Sequence, residues 1–338
     1  MRELFLHIGL HKTGTTWLQH VLLENRAAFA AAGLVPAPWL HPREGNHYPM
    51  IRALRAGGFG PEAFARVMDA AAATEGEKLL VSAEELCVTV MPHRERAERL
   101  RDAAARHFRP RVVVFLRRQD FLSESAYGQA ARTWLQGDIR EGRHYDLDHD
   151  ARLRAIEAVF GRENVRVALY RDAPSFDPLG PFLAALGLAL DPAALRPVPR
   201  ANPSLHRRET LFMASLPKGH GRDGMRPAMR IARAVQAAGA IADDGGRFLM
   251  SPRERHALAA GHLAGNRALV ARHGLADPGG FLELPDPDAP WSPPAPITAA
   301  ERRAAFRAVL RAAWARRNPL AAAAASARAG LAFARARP

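Results

Sequence analysis

Residues 8–19 read Ile8-Gly9-Leu10-His11-Lys12-Thr13-Gly14-Thr15-Thr16-Trp17-Leu18-Gln19. They follow the apolar run Leu4-Phe5-Leu6 and open a segment with helical apolar spacing, so the stretch reads as strand, tight glycine turn and helix. Gly9 and Gly14 have the spacing of a phosphate-binding glycine loop, in which a Lys directly follows the second Gly. Here Thr15 takes that place and Lys12 lies inside the loop. A helix starting at Thr15 or Thr16 turns free N–H groups and its positive dipole end toward the loop, which makes an anion site. Gly14 lets the backbone approach a ligand closely. The hydroxyls of Thr15 and Thr16 can donate to phosphate oxygens. The plainer alternative is a turn whose threonines only cap the helix.

Outward from this loop, strand-like and helical runs alternate. Strands are expected at Leu4–Ile8, Leu79–Val81, Arg111–Leu116 and Val165–Tyr170. Helices are expected at Thr15–Ala32, His93–His107, Gln119–Leu135, His149–Phe160 and around Phe182-Leu183-Leu186. Short, fully apolar strands alternating with helices predict an α/β fold: a parallel sheet covered on both faces, in three layers. The later chain is helical. Ser251-Pro252-Arg253-Glu254 and Thr298-Ala299-Ala300-Glu301 are capping boxes. They open helices running toward His273 and through Trp314. Pro285–Pro296 is a proline-rich connector. The expected organisation is one α/β domain over 1–285, a connector over 286–297 and an Ala/Arg-rich helical extension over 298–338.

The chain has 338 residues, is 48% hydrophobic and 24% charged, and carries a net charge of +14. No apolar run is long enough to span a bilayer. The start carries no basic-then-apolar leader pattern, so a cytoplasmic protein is expected. Cys87 is the one cysteine, which excludes a disulfide framework and a thiolate metal cluster. Nearly all the positive charge is Arg, as from a GC-rich genome, and Lys occurs only at 12, 78 and 218. Each Lys is therefore informative, because a compact ammonium stands where Arg was the common choice. The charge suits an anionic ligand, but there is no helix-turn-helix, zinc-finger or RNA-binding aromatic pattern, so no nucleic-acid partner is expected.

A second element follows the strongest strand. Val112-Val113-Val114-Phe115-Leu116 ends in Arg117, and Ser125 lies eight positions on, in the next helix. A guanidinium and a hydroxyl so placed can converge on one dianion. Together, His11-Lys12-Thr13-Gly14-Thr15-Thr16-Trp17-Leu18-Gln19 and the Arg117/Ser125 pair resemble the sulfotransferases that use 3′-phosphoadenosine 5′-phosphosulfate (PAPS). Phe160–Val167, Tyr170, Arg171, Asn202-Pro203-Ser204-Leu205 and the helix around Asn266 are similar, more loosely, to bacterial carbohydrate sulfotransferases. The resemblance runs from about the start to the proline connector.

The resemblance implies sulfuryl transfer from PAPS to an acceptor hydroxyl, on a carbohydrate, with PAPS as co-substrate and no metal. It assigns the 5′-phosphosulfate loop to His11, Lys12, Thr13, Gly14, Thr15 and Thr16, and the 3′-phosphate to Arg117 and Ser125. Lys12 would neutralise charge on the departing phosphate, an effect of about 3–4 kcal/mol for one well-placed donor. Glu84, just past the Leu79–Val81 strand, is the first candidate base, and His47 the second. Trp17 stacks on the adenine or packs in the core. Lys218-Gly219 is a basic loop that closes over the nucleotide or lies on the surface. The helix carrying Phe306, Val309, Leu310, Ala313 and Trp314 docks on its own domain or touches a membrane surface. Two rival readings stay open. One is a Mg-dependent nucleotide kinase with a variant loop, against which stands the lack of an aspartate after either strand end. The other is a non-enzymatic polyanion-binding module.

Overall fold

The computed structural model of the chain describes residues 1–133, 137–140, 146–173, 175–199, 204–216, 221–275 and 279–317. The chain divides into two compact units. The first comprises Met1–Leu122, Tyr145–Pro203 and Arg255–Pro287, and the second Ser123–His144, Ser204–Glu254 and Asp288–Pro338.

The order along the chain begins β1 (Arg2–His7), α1 (Thr15–Glu24), α2 (Arg26–Ala31), β2 (Leu34–Pro36), α3 (Tyr48–Ala56) and α4 (Pro61–Ala72). It continues with β3 (Lys78–Ser82), α5 (Glu85–Thr89), α6 (Arg94–Ala105), β4 (Phe108–Arg117) and α7 (Gln119–Thr133). Then come α8 (His149–Phe160), β5 (Val165–Tyr170), α9 (Leu179–Leu186), α10 (Arg207–Ala214), α11 (Gly221–Ala237), α12 (Pro252–His273) and α13 (Ala299–Arg317).

The first unit is built on a parallel five-stranded sheet in the order β2-β3-β1-β4-β5. Strand alternation sends Leu4, Leu6 and Ile8 to one face, where they pack with Met50, Phe64, Leu100 and Leu153 from α3, α4, α6 and α8. Phe5, Val113 and Phe115 face the other side, against Leu18, Phe29 and Phe182 from α1, α2 and α9. Both faces are dry, so the strands are apolar throughout. Phe115 is fully buried, and truncating it to Ala costs about 3–5 kcal/mol.

The expected α/β architecture with a covered parallel sheet is therefore the observed one. The predicted Thr15–Ala32 helix is in fact two helices. Asn25 breaks it: its side-chain amide donates to the Val21 carbonyl at 3.0 Å and its Oδ1 accepts from Arg196 N–H at 2.7 Å, a long-range bond that no local pattern announces. The predicted end of the Gln119–Leu135 helix, Trp134-Leu135, lies outside the described residues.

In the second unit, buried Arg207 and Arg208 at the start of α10 hold the connector. Arg207 pairs with Asp244 and donates to the Ser292 carbonyl at 2.9 Å. Arg208 donates to the Ala295 and Pro296 carbonyls and grips Glu301 through two bonds of 2.8 Å. Thr298 and Glu301 close the expected capping box at the head of α13. The Ser251/Glu254 box is formed as well.

Candidate functional site

The strand order fixes where a ligand fits. The chain leaves β1, builds β2 and β3 on one side, then crosses to β4 on the other. In open α/β sheets the crevice lies beyond the strand carboxyl ends at such a reversal. Four chain segments meet that rule here: the Gly9–Gly14 turn after β1, Glu84 after β3, Arg117 at the end of β4 and Asp172 after β5.

The turn is an extension of the sheet. Ile8 and Leu10 N–H groups donate to the Val113 and Phe115 carbonyls, at 3.1 and 3.3 Å, so its first half is tied to β4. Thr13 Oγ1 donates to the Leu10 carbonyl at 2.6 Å and lies 3.4 Å from Thr15 Oγ1. Thr13 and Thr15 are thus buried scaffolding of the loop, whereas Thr16 is exposed. Gly9, Lys12 and Gly14 all have left-handed φ, at 69°, 69° and 80°. A Cβ on Gly9 would come within 3.2 Å of Glu84 Cγ and 3.3 Å of Thr15 Oγ1. One on Gly14 would press on Pro178 and Tyr170. Gly14 is also the residue that caps α1, and it offers no side chain to the first-turn amides. A helix start of this kind favours an anion.

Glu84 sits beside the turn. Its Oε2 lies 2.8 Å from His11 Nδ1, with both side chains mostly buried. Burial opposes ionisation of Glu84, yet the hydrogen bond and charge of His11 and a hydrogen bond from Thr15 outweigh it and hold the carboxyl below its ordinary range. Burial likewise opposes protonation of His11, but Glu84, helped by Glu85, raises its pKa against the effect of Lys12. The two titrate as a pair, with Glu84 an anion at neutral pH.

His47 is close by but fully occupied. Its Nδ1 accepts from the Ser82 N–H at 3.1 Å and its Nε2 donates to the Ala37 carbonyl at 3.1 Å. Burial lowers its pKa to about 4. With both ring nitrogens on backbone groups it has no lone pair for an acceptor's proton. His47 thus links β3 to the segment before α3, and its role as second candidate base is withdrawn on that ground. Sequence reading also missed the polar layer beneath the loop. His7 Nδ1 and Ser82 Oγ share a 2.9 Å hydrogen bond, and Gln19 Nε2 donates to the same oxygen at 3.1 Å. The signal was a lone histidine ending an apolar strand.

Arg117 is also engaged. Its Nε donates to Asp172 Oδ2 at 2.9 Å, Nη2 bonds Oδ1, and Nη1 donates to the Lys12 carbonyl at 2.8 Å. Its guanidinium lies over the Tyr170 ring, 5.1 Å from the centroid. The Arg117 carbonyl is bonded in turn by His149 Nε2 at 2.8 Å. The end of β4 is therefore anchored on both sides. Asp172 carried no signal in the sequence.

Trp17 donates its indole N–H to the Val198 carbonyl at 2.8 Å and packs against the Phe5/Phe115 core. That favours core packing over adenine stacking. Ser125 is half-buried on α7, within the second unit. Lys218 and Gly219 lie outside the described residues. Among the described residues no three His, Cys, Asp or Glu side chains gather as metal ligands.

No family model matches the chain, and no curated protein matches it. Among solved structures it is similar to a sulfotransferase from Alicyclobacillus acidocaldarius, at 18% identity over 80% of this chain and 97% of that one, with a TM-score of 0.40. At that level of similarity the crevice is read from its own residues.

Proposed function

We propose that this protein is a sulfotransferase that moves a sulfuryl group from PAPS to an acceptor hydroxyl by in-line displacement. The observation that carries the reading is Lys12. It occupies a left-handed position inside the turn between β1 and α1, and Arg117 of the adjacent strand is hydrogen-bonded to its carbonyl. Two cationic side chains are thereby brought to one uncapped helix start. This is the pairing that the sequence resemblance assigns to the two ends of a 3′,5′-bisphosphorylated adenosine.

The residues fit such a donor. Gly9 and Gly14 let the turn pack closely on Glu84 and on Pro178 and Tyr170, and Thr16 is exposed at the first turn of α1. Lys12, Thr16 and the α1 amides hold the 5′-phosphosulfate, and Arg117 holds the 3′-phosphate. PAPS supplies an activated sulfuryl group. Lys12 neutralises the charge that grows on the departing phosphate. Glu84, ionised at neutral pH and steadied by His11, takes the proton of the acceptor hydroxyl. The carbohydrate nature of the acceptor comes from the sequence resemblance alone.

Calorimetric titration with 3′-phosphoadenosine 5′-phosphate in EDTA tests this. Binding that is lost in Arg117→Ala supports the reading. Failure to bind overturns it in favour of the polyanion-binding module, and ATP binding that requires Mg²⁺ overturns it in favour of the kinase.

A further inference from the structure

Helix α13 is packed the wrong way round for a helix in water. Ala305 and Ala308 are its buried residues, on the side that meets α11 within the second unit. Phe306, Leu310 and Trp314, spaced four apart on one face, are 63%, 52% and 62% exposed. Only seven large apolar side chains are exposed among the described residues, and three of them form this stripe. An apolar face of that kind marks a surface that something covers.

The charges on the same face say what. Arg303, Arg307 and Arg311 are exposed beside the stripe, and Arg302 flanks it. The one carboxylate of α13, Glu301, faces its own unit, where Arg208 and Thr298 hold it. From Arg302 to the end of the chain there are nine arginines and no Asp or Glu. A second copy of the helix would bring arginine against arginine, and residues 318–338 carry only positive charge themselves. Neither neutralises the face. No described helix is long and apolar enough to cross a membrane.

We propose that the Phe306/Leu310/Trp314 face of α13 lies on an anionic lipid surface. The aromatic and Leu side chains enter the interface while the arginine stems reach to the headgroups. This inference does not involve the nucleotide crevice.

The test is sedimentation of the full chain with phosphatidylcholine vesicles, with and without phosphatidylglycerol. Binding is expected only to the anionic vesicles, and it should weaken as salt is raised. Arg303→Gln/Arg307→Gln/Arg311→Gln should weaken it by roughly a hundredfold. Phe306→Ser/Leu310→Ser/Trp314→Ser should abolish it while leaving the melting midpoint unchanged. Binding that neither variant reduces, or none at all, overturns the proposal. So does self-association lost in the apolar variant, which assigns the face to a second copy. A fall in that variant's melting midpoint also overturns it, because the chain itself then covers the face.

Discussion

Arg117 holds Asp172 and the Lys12 carbonyl at the same time, so a carboxylate already occupies the guanidinium fork on which a phosphate would bind. A bidentate pair of this sort is strong. A 3′-phosphate engaging Arg117 has to displace Asp172. Asp172→Asn should then raise affinity for 3′-phosphoadenosine 5′-phosphate by about tenfold and leave adenosine 5′-phosphate unchanged. Calorimetry reads both. An equal gain for the two nucleotides would reduce the effect to net charge, and no gain would remove Arg117 from the 3′-phosphate.

Lys12→Ala removes the ammonium from the loop without touching its backbone bonds. Single-turnover assays should show a fall of about 10²–10³-fold in transfer rate. The melting midpoint should be preserved. Activity close to wild type would end the assignment of Lys12.

The His11–Glu84 pair makes a pH-dependent contribution to stability. The carboxylate's share is present above its ordinary 4.5 and is lost as pH falls through the lower folded value. The imidazole's share is complete below its ordinary 6.5 and is lost as pH rises through the higher folded value. The pair stabilises most between these two ordinary values. Lys12 and Glu85 face His11, and His7 faces Glu84, and all three act on the same titration. The difference in melting midpoint between wild type and Glu84→Gln should therefore peak in mildly acidic solution and shrink toward alkaline pH. A difference that is flat with pH would mean that the pair is not ionic. Transfer in Glu84→Gln should fall by about 10²–10⁴-fold.

Three buried histidines pull the other way. Burial lowers the pKa of His7, His47 and His149 to about 4. Unfolded chains bind these protons below about 6.5 while the folded chain does not. Stability should thus fall as pH drops from 6.5 toward 4, read as the urea midpoint at neutral and acidic pH. His47→Ala should lose about 1–3 kcal/mol at neutral pH, because Ser82 N–H and the Ala37 carbonyl are left unsatisfied. Its acid sensitivity should be shallower than wild type. Steeper acid sensitivity in the variant would contradict a neutral buried ring.

The sequence revealed most where chemistry is local. Helix α8 and strand β5 have the bounds that their apolar spacing predicts, and the Ser251 and Thr298 caps are formed by the residues that announced them. The β1–α1 turn was legible because its glycines, threonines and lysine act within a few positions of each other. What stayed hidden is long-range. Asp172 meets Arg117 across 55 positions, and His47 is spent on Ser82 across 35. Nothing near either residue distinguishes a fork or ring already occupied from one open to a ligand. Strand β2 was missed because three residues at a sheet edge are too few to show a period.

The left-handed φ of Lys12 has a consequence for how this protein can change. Glycine would sit in that turn with less strain, and asparagine nearly as well. Selection for heat resistance alone should therefore drift toward Gly or Asn at position 12, and the hardier descendants would turn over more slowly. With Lys12 in its proposed role, durability and turnover pull in opposite directions at this one codon.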